Sequence, residues 1–430
     1  MTQSRRTLRI AGLIALPATA ALVLAGCSGS GSGDASQGGS NSFSLTYATS
    51  NNVESPFEIL AKEYQTANPD VQITLNPQPN DTYGDTLRTQ LQAGNASDVL
   101  ETEAGSGQTR SVIPLAKANF LEPLDDTAKS MIPAGSENLV TVDGKVYGQP
   151  LGISYAGIVY NETAATAAGI TSFAKDESTL LQQCQTAASA GKTLFVLAGS
   201  TVPNAGITAS IIAATRVYAE TPDWNQQRLD GKVTFADSQG WKDTLDTVKK
   251  LYDSGCFQGG AEGAGFDAIT NGMSSGSTVG FFGPLGSASE LQKAAPDQKF
   301  IAEAFPPAKS SDKAYGVASP TYSLGINAAS PNKEAAKKFL DWLAEPAQAD
   351  LFAKASGGLP VSGLSSLDLS STIYANVADL LNNGDFTPLA NSDWPNASVY
   401  DALATGVQGL LTGQSTVDSV LASLDTAWDQ

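Results

Sequence analysis

The sequence predicts an α/β protein of two packed units joined by crossing strands, and three observations predict it. The chain has 430 residues, 41% of them apolar and 16% charged, a globular composition too long for one ordinary domain. From Phe43 to Leu100, apolar alternation and helical stripes follow one another in strand, helix, strand, helix, strand order, the signature of a mostly parallel sheet. The stretch Lys145 to Asn161, KVYGQPLGISYAGIVYN, is interrupted by Gly148 and Pro150 and continues as an apolar, β-branched and aromatic run. A buried strand that starts at Gln149-Pro150 after an irregular segment leaves one unit and enters another.

In chain order, Met1 to Gly26 reads as a secretory signal. Arg5, Arg6 and Arg9 precede an apolar run from Ile10 to Ala25, broken by Pro17 and too short to span a bilayer. Ser28 to Ser42 is almost entirely Ser, Gly, Ala, Asn and Gln and reads as a flexible tether. Phe43, Leu45 and Tyr47 share one face of a first strand, and Phe57, Leu60, Ala61 and Tyr64 stripe a helix over Pro56 to Ala67. Val71, Ile73 and Leu75 mark a second strand, Tyr83 to Gln92 a second helix and Asp98 to Leu100 a third strand. Ligands of open α/β sheets collect beyond the carboxyl ends of strands, which singles out the loops Thr49 to Glu54 and Glu101 to Gly107.

Past the crossing strand, helices are expected over Leu180 to Ala190, Ile207 to Tyr218 and Trp241 to Tyr252, with strands over Thr193 to Leu197 and Thr278 to Phe282. Tyr322 to Ile326 reads as a strand. The following helix, striped by Ala335, Phe339, Trp342 and Leu343, is expected to take Ser330 as N-cap and Pro331 as its first residue, with Glu334 opposing the dipole. Helices over Val377 to Leu381, Val399 to Leu411 and Thr416 to Trp428 complete the chain.

With 43 acidic residues against 25 basic, the net charge of −18 disfavours nucleic acid and anionic lipid as partners. The absence of histidine removes every Ser-His or Cys-His nucleophile and the commonest metal ligand, so neither a metal nor a cofactor is expected. Carboxylate chemistry stays open. Glu101 and Glu103, two apart on a strand, point to one face and could form a glycosidase-like pair, or could accept hydrogen bonds from a ligand or from water.

Three stretches carry a resemblance to a known family. KVYGQPLGISYAGIVYN resembles the first hinge strand of bacterial ABC-transporter extracellular solute-binding lipoproteins of the maltose-binding type, family 1. Phe266 to Gly286, FDAITNGMSSGSTVGFFGPLG, resembles that family's helix, small residues and short strand ending in Gly-Pro. Gly325 to Glu334, GINAASPNKE, is similar to its return segment. Leu24-Ala25-Gly26-Cys27 resembles a lipobox, which implies lipidation of Cys27 and leaves Cys184 and Cys256 as an even pair, either bridged in an oxidising exterior or two buried thiols.

The resemblance implies a two-lobed periplasmic-binding-protein-like fold of type II, with mixed sheets flanked by helices and hinge strands between the lobes. Residues 43–152 would begin the first lobe, completed by about 286–345, and 153–285 the second, completed by about 346–430; 1–26 would be the signal and 27–42 the tether. It implies an exported, lipid-anchored, monomeric binding protein rather than an enzyme, which takes a small solute, carbohydrate favoured, and presents it to ABC permease subunits. The candidate ligand residues are Asn51, Tyr83, Thr102, Glu103, Tyr155, Phe282, Tyr322, Trp394 and Tyr400. Alternatives are a non-sugar solute met by Arg110 or Arg216, a carboxylate-dependent surface glycoside hydrolase, and a surface adhesion module.

Overall fold

The computed structural model describes residues 41–49, 55–133, 136–361 and 364–430. The signal expected over Met1 to Gly26, the lipidation expected at Cys27 and the candidate Asn51 lie outside them. The first unit is built as the alternation predicts: β1 (Ser42–Thr49), α1 (Pro56–Ala67), β2 (Gln72–Pro79), α2 (Asn80–Ala93) and β3 (Val99–Glu103), with β1 parallel to both β2 and β3. The apolar faces read from the sequence are the ones that pack, since Phe43, Leu45, Phe57, Leu60 and Tyr64 share one core with Phe339 and Leu340.

The crossing strand β4 (Gln149–Asn161) is almost wholly buried along its 13 residues. It is followed by α3 (Glu177–Ser189), β5 (Thr193–Val196), α4 (Val202–Ala213), α5 (Gln239–Asp253), α6 (Phe266–Ser275), β6 (Thr278–Pro284), α7 (Gly286–Ala294), β7 (Phe300–Glu303) and β8 (Gly316–Ile326). Two helices, α8 (Lys333–Leu343) and α9 (Pro346–Ser356), return the chain, and α10 (Ala397–Thr412) and α11 (Val417–Trp428) close it. The mixed sheet runs in the order β2-β1-β3-β8-β4-β6-β5.

Two long strands carry the sheet across the molecule. The near half of β4, Gln149 to Ala156, pairs with β8, whereas its far half, Ala156 to Asn161, pairs with β6 and β7. β8 in turn pairs with β3 through Tyr322 to Ile326. Its register against β4 shifts on both sides of Tyr322, an irregularity that re-aims a side chain and accommodates Pro320 inside a central strand. Of the four apolar clusters among the described residues, a first core holds Phe43, Phe57, Phe339 and Phe352 and a second holds Leu180, Trp241, Leu245, Leu403 and Trp428.

Some local expectations are corrected. Ser330 does not cap α8: the helix starts at Lys333 after Asn332, with no side-chain cap. The Ser330 hydroxyl instead donates to Asp98 at 2.6 Å and accepts from the Asn332 N–H at 2.9 Å. Asp98 also accepts from the Ser44 N–H and hydroxyl at 2.7 and 2.8 Å, so one carboxylate ties β1, β3 and the entry to α8 together. Burial pushes its carboxyl up, but the hydrogen bonds from Ser330, Ser44 and Asn332 hold it below the usual range. A local helix-start signal lost to a long-range polar partner that satisfies a buried carboxylate.

Cys184 and Cys256 are joined in a disulfide, with their Cα atoms 4.7 Å apart and both side chains buried. Cys184 lies on α3, but Cys256 lies beyond the end of α5, where its carbonyl accepts from the Phe195 N–H at 2.9 Å. The bridge therefore ties α3 to the segment beside β5, rather than tying two helices together. Replacing both cysteines by alanine is expected to cost about 2–4 kcal/mol. Urea unfolding of the double variant checks this, and a midpoint equal to that of the parent would show that the cross-link adds nothing.

Candidate functional site

A cavity of about 770 Å³ opens where the loop after β3 faces the second core. Gly107, Gln108 and Thr109 form one wall; the start of α4, the start of α6, the end of β6 and α7 form the others. It adjoins a smaller chamber of about 150 Å³, bounded by Ser154, Tyr322 and Ser356, and the two share Pro284, Ser287 and Glu290. Together they form one cleft across the crossing strands. Among the described residues the exposed large hydrophobic side chains are Val202 (39%), Leu229 (48%), Phe266 (52%) and Tyr322 (37%), and all but Leu229 line this cleft. Apolar rings left in water at a concave site mark a binding surface.

Behind the cleft lies a charged cluster at the end of β3. Arg110 donates from Nε to Glu103 at 3.2 Å, lies 3.8 Å from Glu101, and sits over the Tyr83 ring at 5.6 Å. Glu101 is buried and accepts from the Ala48 N–H at 2.6 Å. Burial pushes its carboxyl up to about 7 against the pull of Arg110 and of that N–H, and the neighbouring Glu103 adds to the rise. Glu103, likewise raised by burial, also accepts from the Gln108 amide at 2.9 Å and so sets the orientation of a cleft-lining side chain.

This arrangement fixes a pH dependence. A carboxyl whose folded pKa lies above its unfolded value holds its proton more tightly in the folded state. Its contribution to stability is full below about pH 4.5 and falls as pH rises to about 7. Glu101→Gln is expected to flatten the loss of melting temperature between about pH 4.5 and 7, by an amount on the order of 3 kcal/mol at most. Thermal melts across that window test it; an unchanged slope would mean that Glu101 ionises normally.

The sequence-predicted residues within the described part of the chain divide four ways. Tyr322 lines the small chamber and Tyr400 the large one, where the Tyr400 hydroxyl donates to the Pro203 carbonyl at 3.0 Å. Glu103 stands one layer behind, holding Gln108. Tyr83 and Thr102 face inward: the Tyr83 hydroxyl donates to the Glu101 carbonyl at 2.7 Å, and the Thr102 hydroxyl pairs with that of Ser323 at 2.8 Å. β3 extends to Glu103, so Thr102 is a strand residue rather than part of the loop that follows.

Tyr155 and Trp394 are core residues, and Phe282, though fully buried among core rings, also lines the large chamber. Phe282 packs on Phe195 and Phe305, with centroids 5.0 and 5.8 Å away, and the Trp394 indole donates to Asn225 at 3.3 Å inside a cage of rings. The cleft residue that sequence reasoning missed is Phe266. It continues the stripe of Ile269 and Met273, so periodicity marks it as core; but it is the first residue of α6 and is left half exposed. Neither arginine is free for an anion: Arg110 serves Glu101 and Glu103, and Arg216 donates to Glu177 at 2.8 Å, away from the cleft. Among the described residues no group of three or more His, Cys, Asp or Glu side chains could hold a metal ion.

The fold has known counterparts. A structure from work on xylan utilization by Caldanaerobius polysaccharolyticus superposes with a TM-score of 0.75 at 21% identity, over 90% of this chain and 99% of that one. A raffinose complex of the solute-binding protein RafE gives a TM-score of 0.73 at 17% identity, over 90% and 98%. At these identities the likeness establishes the architecture alone, the two-lobed periplasmic-binding-protein-like fold. In sequence, a Brucella abortus (strain 2308) chain whose name claims no more than a binding protein is 25% identical over 380 residues, 85% of this chain and 87% of that one. Residues 47–350 match the model of the bacterial extracellular solute-binding protein family, and the chain belongs to that family.

Proposed function

We propose that this protein captures a small carbohydrate in the cleft and hands it to the permease subunits of an ABC importer. The observation that carries this reading is the pair of exposed rings, Tyr322 and Phe266, held in one cleft with carboxylate, amide and hydroxyl groups close by. Aromatic faces hold the apolar faces of sugar rings while polar neighbours take the hydroxyls. The names of the structural counterparts, which speak of xylan and raffinose, support it. Glu101 and Glu103 share Arg110 and serve as structural and orienting groups, so the protein acts by binding rather than by hydrolysis.

Core membership favours a first lobe of about 42–152 with 316–356, since Phe352 packs in the first core, and a second of about 153–303 with 364–430, since β7 pairs with the far half of β4. Closure about β4 and β8 would be stabilised only by the contacts a solute makes to both lobes. In this reading the protein is a monomer held to the outer face of the cytoplasmic membrane by a lipid on Cys27, on the tether that ends near Ser42.

Titration of the purified protein with mono- and oligosaccharides, amino acids and small anions tests the reading. One group of sugars is expected to bind and raise the melting temperature, and Tyr322→Ala is expected to weaken that binding about tenfold or more. Binding of anions or amino acids alone would overturn the carbohydrate assignment.

A further inference from the structure

The two chambers of the cleft differ in chemistry, and the difference bears on what kind of carbohydrate enters. The small chamber is ringed by hydroxyls and a carboxylate, from Ser154, Ser287, Ser356, Tyr322 and Glu290. The large chamber shares Ser287 and Glu290 with it and also has Thr109, Thr270 and Asp401 in its lining, but its walls are mainly apolar, from Val202, Ile207, Phe266, Ile269, Phe281 and Leu291. Several of its polar side chains are already engaged within the protein. Asn204 accepts from the Ala198 N–H at 2.8 Å and donates to the Phe282 carbonyl at 2.9 Å. The Gln108 amide donates to Glu103 and the Tyr400 hydroxyl to Pro203.

Sugar hydroxyls turned toward Val202, Ile207, Ile269 and Leu291 would be left without partners after giving up water, whereas an apolar group there gains by burial. Besides the carboxylates of Glu290 and Asp401, one buried acceptor stays open: the side-chain carbonyl of Asn391, a residue of the large chamber, has no partner among the described residues. It suits a single donor, such as a phenolic hydroxyl, on an otherwise apolar body.

We infer that the solute is an amphipathic glycoside, its sugar ring in the small chamber between Tyr322 and Glu290 and an aromatic or apolar aglycone in the large chamber against Phe266. The inference rests on the carbohydrate reading above and narrows it.

The test is isothermal titration of the full chain with methyl and 2-naphthyl glycosides of glucose, galactose, mannose and xylose, the matching trisaccharides, and free 2-naphthol. For the sugar that binds, the naphthyl glycoside is expected to bind at least about thirtyfold more tightly than the methyl glycoside. Phe266→Ala is expected to cut that ratio to about threefold or less. Equal affinity of the methyl and naphthyl glycosides, with a gain from trisaccharides instead, would overturn the inference and leave the carbohydrate reading standing. Naphthol binding as tightly as its glycosides, or no binding by any sugar or glycoside, would overturn both.

Discussion

Trp394→Ala is expected to destabilise the protein by about 3–5 kcal/mol, the range for deleting a fully buried large aromatic side chain. The indole is completely buried among Phe235, Trp241 and Trp428, with ring centroids 5.8, 6.0 and 6.3 Å away. Its removal would leave a void among rings contributed by distant parts of the chain, and Asn225 would lose one of its donors. The surrounding helices α5 and α11 cannot collapse into that space without breaking their own contacts. Chemical denaturation measures the loss. The milder Trp394→Phe separates packing from recognition: it is expected to lower stability while leaving solute affinity within about twofold. A large loss of affinity at nearly unchanged stability would instead make Trp394 a ligand contact.

Gly105→Ala is expected to cost about 2–4 kcal/mol and to disturb the geometry of the cleft. Gly105 has φ +104°, and a Cβ placed there would lie 1.8 Å from the backbone carbonyl oxygen of Ser392. The turn fits against the segment Asn391 to Trp394 because Gly105 and Gly107 have no side chains where the two backbones meet. The Ser106 N–H donates to the Ser392 carbonyl, and the Ser106 hydroxyl to the Trp394 carbonyl, each at 2.6 Å. A methyl group would force backbone from backbone and break both hydrogen bonds, displacing Asn391 from the cavity wall it lines. Denaturation together with solute titration tests this; a variant within about 0.5 kcal/mol of the parent would mean that the turn yields at little cost.

Much of the architecture was legible because it rests on local periodicity. The stripe Phe57, Leu60, Ala61 and Tyr64 can bury only one helix face, and the alternation of Phe43, Leu45 and Tyr47 only one strand face. The mostly apolar run from Ile153 to Tyr160, interrupted by Ser154, is a strand buried on both sides. That run also located the passage between the two cores, and β4 makes it by changing partners from β8 to β6 and β7. Setting Cys27 aside as a lipidation site left Cys184 with a single possible partner.

The site was legible only in part. Tyr322 and Tyr400 were candidates through the family resemblance, and they do line the cleft, but nothing local distinguished them from Trp394, Phe282 or Tyr155. Whether a ring faces water depends on what the rest of the chain puts over it. Trp394 is covered by Phe235 and Trp428, while Phe266, on an equally regular stripe and first in its helix, is left half exposed.

Ser330 shows the same limit for polar groups. Its local role as a helix cap was overruled by Asp98, a buried carboxylate more than two hundred positions away that needed a donor more than the helix end did. The sequence by itself determined the elements, the crossing strand and the candidate cysteine pair, since these follow from spacing along the chain. Only the tertiary structure decided which aromatic rings meet the solute and which hold the core, since exposure is settled by neighbours that spacing cannot specify.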